Sequence, residues 1–163
     1  MVLVYKGSIV GSKTFLRRYE LTEDISLYDL NIFLQNDMGF SPDQMVMFRG
    51  YDAKGRVKSE YCLFDLGDGA MDAVSIADTL EKEEQTIEWV YNLKNNRGIM
   101  LSFEGETETQ RRVSYPRLIE EKGQNPQQFS KTYSDEVDEF LDDVSSSDDL
   151  YEEEELPEGV EEA

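Results

Sequence analysis

The chain has 163 residues, a formal net charge of −20 and 39% apolar residues. This length suits one domain with an additional segment, and the high charge indicates that part of the chain does not pack into a core. One cysteine and no histidine exclude an intrachain disulfide and catalytic or metal sites that use histidine. The N-terminal residues lack the features of a secretion signal, and no apolar run approaches the roughly 20 residues that span a bilayer. We therefore expect a soluble, cytoplasmic protein without membrane binding.

The negative charge is concentrated at the C-terminal end. Residues 132–163 contain fifteen Asp and Glu and no Lys or Arg, whereas residues 1–131 contain 21 acidic and all 16 basic residues, a net charge of −5. We predict a folded domain over residues 1–131, followed by an acidic, mostly disordered tail over residues 132–163.

The first half of the domain alternates in hydrophobicity, which is typical of hairpins. Strands are predicted at residues 2–10 and 14–21, around the turn "GSK". A helix is predicted next, with Ser26 as N-cap, apolar residues at helical spacing, and Gly39 at its end. Residues 45–48 and 57–64 predict a second hairpin.

The second half begins with a short helix predicted within residues 74–85, whose acid-rich end should be exposed. A third strand pair follows at residues 86–92 and 99–104, around "LKNNRG". Residues 106–131 predict a long surface loop or a segment lying against the sheet. Hairpins with two short helices predict an α+β fold with a largely antiparallel sheet.

The order of "RRYEL", "SLYDLNIFLQNDMGF", "MVMFRG", "IEWVYNLKNNRGIMLSFEGE" and "SYPRLIEEKGQNP" resembles the plasmid pRiA4b-type open-reading-frame-three-like family. That family is also named an insertion-element passenger protein and is resolvase-like by name. The resemblance covers roughly residues 2–128. Its most specific part is the helix, where the family's Leu-His, Ile-Gln and Met-Gly-Trp pattern matches Leu30, Leu34, Gln35, Met38, Gly39 and Phe40.

The chain departs from this family around the third hairpin turn. The family resemblance places Tyr-Asp-Phe-Gly-Asp there, followed by Trp and His, but here Tyr91 is followed by "NLKNN". The carboxylates and the histidine are thus replaced, and the resemblance implies no established activity. We expect a non-enzymatic, protein-binding domain without catalytic residues, cofactor or metal; a metal-free hydrolase with a Lys or carboxylate base is the least favoured alternative.

Polar and cationic residues suggest a ligand surface around this turn. Arginine recognises phosphate and carboxylate groups through paired hydrogen bonds. A nucleic-acid-associated factor from a mobile element is therefore the alternative function, although the net charge of the domain disfavours it. The candidate ligand surface consists of Arg17, Arg18, Tyr91, Lys94, Asn96, Arg97, Arg111 and Arg112.

The acidic tail contains apolar residues at helical spacing, which predicts a short amphipathic helix over about residues 134–144. This helix could dock on its own domain, bind a groove of a partner, or imitate DNA; the tail could also serve solubility alone. We expect an unidentified protein partner, with the tail as adaptor or internal cover. The candidate partner helix presents Tyr133, Val137, Phe140, Leu141 and Val144.

Two further groups of residues favour structural roles. Asp65, Asp68 and Asp72 match no calcium-loop spacing and predict a solvated turn set by nearby glycines. Trp89 shares one strand face with Ile87 and Tyr91, a pattern that indicates a core strand more than a stacking surface.

Overall fold

The computed structural model describes residues 1–129, which lie in the first of the chain's two units, Met1–Lys131. These residues form seven strands and two helices: β1 (Val2–Ser8), β2 (Leu16–Thr22), α1 (Leu27–Met38), β3 (Met47–Tyr51), β4 (Val57–Tyr61), α2 (Ile76–Glu81), β5 (Thr86–Asn92), β6 (Arg97–Thr107) and β7 (Arg117–Lys122). The sheet order is β4-β3-β5-β6-β1-β2-β7, with every neighbouring pair antiparallel. The predicted α+β class and antiparallel sheet are confirmed.

Helix α1 forms where its caps and apolar spacing predict it. The Ser26 hydroxyl accepts the Asp29 N–H at 3.0 Å, and Gly39 ends the helix in the left-handed conformation at φ 71°, which glycine adopts without steric cost. The residues that carry the family pattern within the helix are buried, namely Leu30, Leu34, Gln35 and Met38. The helical part of that pattern therefore reflects packing.

The main core lies between the helices and one face of the sheet. Trp89 is fully buried and its Nε1 donates to Asn31 Oδ1 of α1 at 2.8 Å. Phe40, just beyond α1, stacks on the Trp89 ring with 5.8 Å between centroids and lies 4.8 Å from the Tyr91 ring. Ile87 on the same strand is also fully buried. The interpretation of this strand face as core is confirmed.

The structure corrects the prediction for residues 106–131, because this segment contains strand β7 at the edge of the sheet. β7 pairs antiparallel with β2, with a register shift between Arg18 and Tyr19. Its sequence "RLIEEK" has no regular alternation, since an edge strand with a bulge needs none. The strand conformation of β7 depends on its pairing with β2, which is distant in sequence. The local hydrophobicity pattern of residues 117–122 therefore does not predict it.

Two predicted strand ends are also corrected, with consequences for the surface. β3 begins at Met47, so Met45 lies outside the sheet and is 59% exposed. β4 ends at Tyr61, which leaves Leu63 and Phe64 in a loop where both side chains are exposed. In each case, apolar residues that the sequence pattern predicts to lie in a strand are exposed outside the sheet.

The predicted acidic tail over residues 132–163, including the candidate helix over about residues 134–144, lies outside the described residues. Within residues 1–129, no helix combines the length and the apolar character needed to cross a membrane.

Candidate functional site

A cleft of about 340 Å³ lies beside the turn that joins β5 and β6. Three of its lining side chains are large, apolar and exposed: Met45 at 59%, Leu93 at 37% and Phe129 at 61%. Lys94 on the turn adds an exposed ammonium group to the lining, and Asp43 adds an exposed carboxylate. We call the surface formed by Met45, Leu93, Lys94 and Phe129 the turn cleft.

Amide side chains fix the walls of the turn cleft. Asn92 Oδ1 accepts the Asn95 N–H at 3.1 Å, and Asn92 Nδ2 donates to the Gln128 carbonyl at 2.8 Å. The side chain of Gln128, which is 8% exposed, is in turn hydrogen-bonded to the backbone of Ser41. Because each wall is tied to another element, the cleft exists before any ligand binds.

The other predicted site residues of this turn serve mainly its geometry. Tyr91 is 1% exposed, and its ring belongs to the aromatic core described above. Asn96 takes the left-handed backbone conformation at φ 54°, which asparagine tolerates better than most residues. Its Oδ1 accepts a hydrogen bond from Arg49 Nη1 at 3.0 Å. Arg97 is half-buried at the start of β6.

Arg17 is a buried structural cation and does not face solvent. It is 0% exposed, and its guanidinium donates to the carbonyls of Lys122 and Gly123 and to Asn125 Oδ1. Glu121 lies 3.6 Å away and balances the charge. Arg17 thereby fastens the end of β7 to β2.

Arg18 faces the opposite side of the sheet and is neutralised there. Its guanidinium donates to Glu104 at 2.7 Å and also to Glu120. The hydrogen bond to Glu104, followed by that to Glu120, raises the pKa of Arg18 above its usual range, and the same contact lowers the pKa of Glu104. With two carboxylates already bound, Arg18 is a poor ligand for another anion.

Arg111 and Arg112 are exposed but lie far from the turn. β6 separates them from Arg97, and its 11 residues extend over about 35 Å at the rise of a β-strand. The structure therefore distributes the predicted ligand surface over three places: the turn, the β2 region and the segment beyond β6. It does not bring the six basic residues together.

A buried carboxylate was missed by the sequence analysis. Glu84 lies in the acid-rich run after α2 that was predicted to be exposed, yet it is 0% exposed. Its carboxylate accepts hydrogen bonds from the hydroxyls of Tyr61, at 2.7 Å, and Ser59. The positive φ of Glu83, 65°, turns the chain inward at this point. Lys82 Nζ lies 3.3 Å from Ser59 Oγ and adds a cation to this cluster.

The aspartates between β4 and α2 hold backbone groups. Asp65 Oδ1 accepts the N–H groups of Gly67 and Gly69, which lower the pKa of Asp65. Asp68 accepts the Glu60 N–H at 3.0 Å. In the part of the chain that the structure describes, no group of three His, Cys, Asp or Glu residues is placed to hold a metal ion.

An antiparallel sheet with two helices against it, and a preformed cleft at one hairpin turn, define a small α+β domain with a ligand-sized surface feature. A family model described as plasmid pRiA4b ORF-3-like protein matches residues 10–158, and the chain belongs to this family. The predicted family is thus confirmed. No curated protein matches the chain.

One solved structure supports the fold independently. It is that of MM3350, a protein of unknown function from Methanosarcina mazei Go1, with a TM-score of 0.74 and 20% sequence identity. The similarity covers 89% of this chain and 83% of that chain. At this identity the similarity shows a shared fold.

Proposed function

We propose that this domain acts by binding another protein at the turn cleft. The observation that carries the proposal is the grouping of Met45, Leu93 and Phe129, all exposed, around one cleft. Single exposed apolar residues are common on protein surfaces, whereas grouped ones mark interaction sites.

The fixed walls of the cleft favour this role. Ordering a binding surface costs free energy at the moment of association, and a surface that is already ordered avoids that cost. The hydrogen bonds of Asn92 and Gln128 provide this order. Lys94 and Asp43 both line the cleft, so it favours a segment that combines a large apolar side chain with a carboxylate placed beside Lys94 and away from Asp43.

The distribution of the basic residues supports a protein partner over a nucleic acid. Binding a phosphate backbone requires several cations on one surface, and here Arg17 is buried while Arg18 is paired with two carboxylates. The nucleic-acid alternative stays a prediction, and so do the roles of residues 132–163 as adaptor, internal cover, autoinhibitor or DNA mimic, since those residues lie outside the described part.

The proposal can be tested by selecting random dodecapeptides against the full-length protein and mapping the best binders by NMR. We expect the selected peptides to combine large apolar residues with Asp or Glu, and to shift the amide signals of Leu93, Lys94 and Phe129. Selected peptides that leave these signals unchanged would overturn the proposal. A Met45→Ser/Phe129→Ser variant, changed only at exposed positions, serves to show that apolar contact is required.

A further inference from the structure

A second exposed apolar surface lies on the loop between β4 and α2. Leu63 is 51% exposed, Phe64 66% and Leu66 60%. We call residues 62–69, "CLFDLGDG", the apolar loop. Three large apolar side chains within four positions are unusual for a loop that contacts only water.

The apolar loop is held in shape by its own polar groups. Asp65 Oδ1 accepts the N–H of Gly67 at 2.7 Å and that of Gly69 at 3.0 Å. The Met71 N–H donates to the Cys62 carbonyl at 2.8 Å, which closes the base of the loop. The exposure of its apolar side chains therefore belongs to a defined conformation.

The base of the loop is also anchored to the core. Met71 is fully buried, and its carbonyl accepts the N–H of Tyr28 in α1 at 3.0 Å. On the strand side, Asp68 Oδ2 accepts the Glu60 N–H. The loop is thus fixed to α1 on one side and to β4 on the other, as a preformed binding element would be.

The segment that contains the apolar loop is acidic, and the nearest cations, Arg49 and Lys82, lie beside β4 at the base of the loop. Between Lys58 and Lys82 the chain contains six acidic and no basic residues. Asp65 and Asp72 are exposed, and so is Glu60, which is ion-paired with Arg49 at 3.9 Å. This charge disfavours an anionic membrane, a nucleic acid and the acidic residues 132–163 as occupants, because each would bring like charges together. A symmetric contact between two copies of the loop meets the same repulsion.

We propose that the apolar loop is a docking element for a protein partner that presents an apolar groove bordered by Lys or Arg. Its apolar side chains enter the groove, and the surrounding carboxylates meet the basic border. This inference goes beyond the function proposed above, since it concerns another surface with a different charge composition. The turn cleft is lined by both Lys94 and Asp43, whereas the apolar loop itself carries only carboxylates.

A defined probe for such a partner is a synthetic 18-residue amphipathic helix with Leu on one face and Lys on the other. The control peptide replaces every Leu by Ser and keeps the charge, which accounts for binding to acidic residues elsewhere in the chain. We expect the Leu/Lys peptide alone to shift the amide signals of residues 63–69 of the full-length protein. Equal shifts with both peptides, or shifts confined to other residues, would overturn the inference.

A Leu63→Ser/Phe64→Ser variant tests the side chains directly. Both positions are exposed, so the Gly67 and Gly69 amides should stay protected from hydrogen exchange, which verifies that the loop is intact. We expect at least a tenfold weaker response of those two amides to the Leu/Lys peptide, and an unchanged response in the Met45→Ser/Phe129→Ser variant. Loss of the response in the second variant only would assign this binding to the turn cleft and reject the loop.

Measuring self-association tests whether the apolar loop binds a second copy of the chain instead of a different partner. Sedimentation velocity of the full-length protein should show the same mass for wild type and for Leu63→Ser/Phe64→Ser. A wild-type dimer that dissociates in this variant would show that the loop binds a second copy, and would contradict the proposed basic groove.

Discussion

The side chain of Gln128 forms two hydrogen bonds with the backbone of Ser41. The Ser41 N–H donates to Gln128 Oε1 at 2.7 Å, and Gln128 Nε2 donates to the Ser41 carbonyl at 3.0 Å. A side chain thus occupies the place that a neighbouring strand would take. This pair joins the segment after α1 to the segment that ends at Phe129, and it positions one wall of the turn cleft.

Replacing Gln128 should therefore loosen the cleft and destabilise the domain. In Gln128→Ala both backbone groups of Ser41 lose their partner, and we expect the free energy of unfolding to fall by about 1–3 kcal/mol. Urea denaturation measures this. Gln127→Ala is the matched control, since Gln127 is exposed and should change stability by less than about 0.5 kcal/mol. Equal effects of the two variants would contradict the role given to the pair.

The two neighbouring arginines of β2 should respond very differently to the same substitution. Arg17→Met removes a fully buried guanidinium and its hydrogen bonds to the carbonyls of Lys122 and Gly123, and we expect a loss of roughly 3 kcal/mol in the free energy of unfolding. Arg18→Met removes ion pairs at the surface and should have a much smaller effect. Thermal unfolding of both variants gives the comparison. A larger loss for Arg18→Met would mean that Arg17 does not fasten β7.

Gly50 and Glu84 should be energetically coupled. A Cβ at position 50 would overlap the Glu84 carboxylate, which cannot move to solvent because it is buried. We expect Gly50→Ala to destabilise the domain by about 1–3 kcal/mol. Its cost should be smaller when Glu84→Ala is already present, because the clash is then absent. Additive effects in this double-mutant cycle would show that the strain lies elsewhere.

The conformation of the apolar loop should depend on pH through Asp65. The N–H of Gly67, then that of Gly69, holds the pKa of Asp65 below its ordinary value. A lowered pKa in the folded state means that this contribution is present above the ordinary pKa and is lost as pH falls through the lowered value. NMR titration of the Gly67 and Gly69 amides should show loss of the loop conformation in that acidic range. In Asp65→Asn the acid-dependent step should disappear, and its persistence would assign it to another carboxylate.

Short sequence patterns were sufficient to predict the elements whose conformation depends on interactions between residues close in sequence. α1 followed from its spacing and from caps at Ser26 and Gly39, since both act within one helical turn. β7 was missed because its conformation depends on β2, which lies far away in sequence. The family was identified from the order of elements, and this order is a property of the whole fold.

The candidate site was less predictable, because burial decides the role of a polar residue. The sequence predicts surface positions for the charged residues Arg17 and Glu84. In the structure each is buried and forms hydrogen bonds with residues from distant segments of the chain. Met45 and Phe64 read as strand residues, and both are exposed. Of the predicted site residues, Tyr91 and Lys94 line the cleft, and of these two only Lys94 is exposed.

The central claim is that the turn cleft binds protein through its apolar side chains. The most direct test is isothermal titration calorimetry of a selected dodecapeptide with the full-length protein and two surface variants. We predict at least a tenfold weaker affinity for Met45→Ser/Phe129→Ser, about 1.4 kcal/mol, and an unchanged affinity for Leu63→Ser/Phe64→Ser. Equal affinity of the wild type and the Met45→Ser/Phe129→Ser variant would contradict the account.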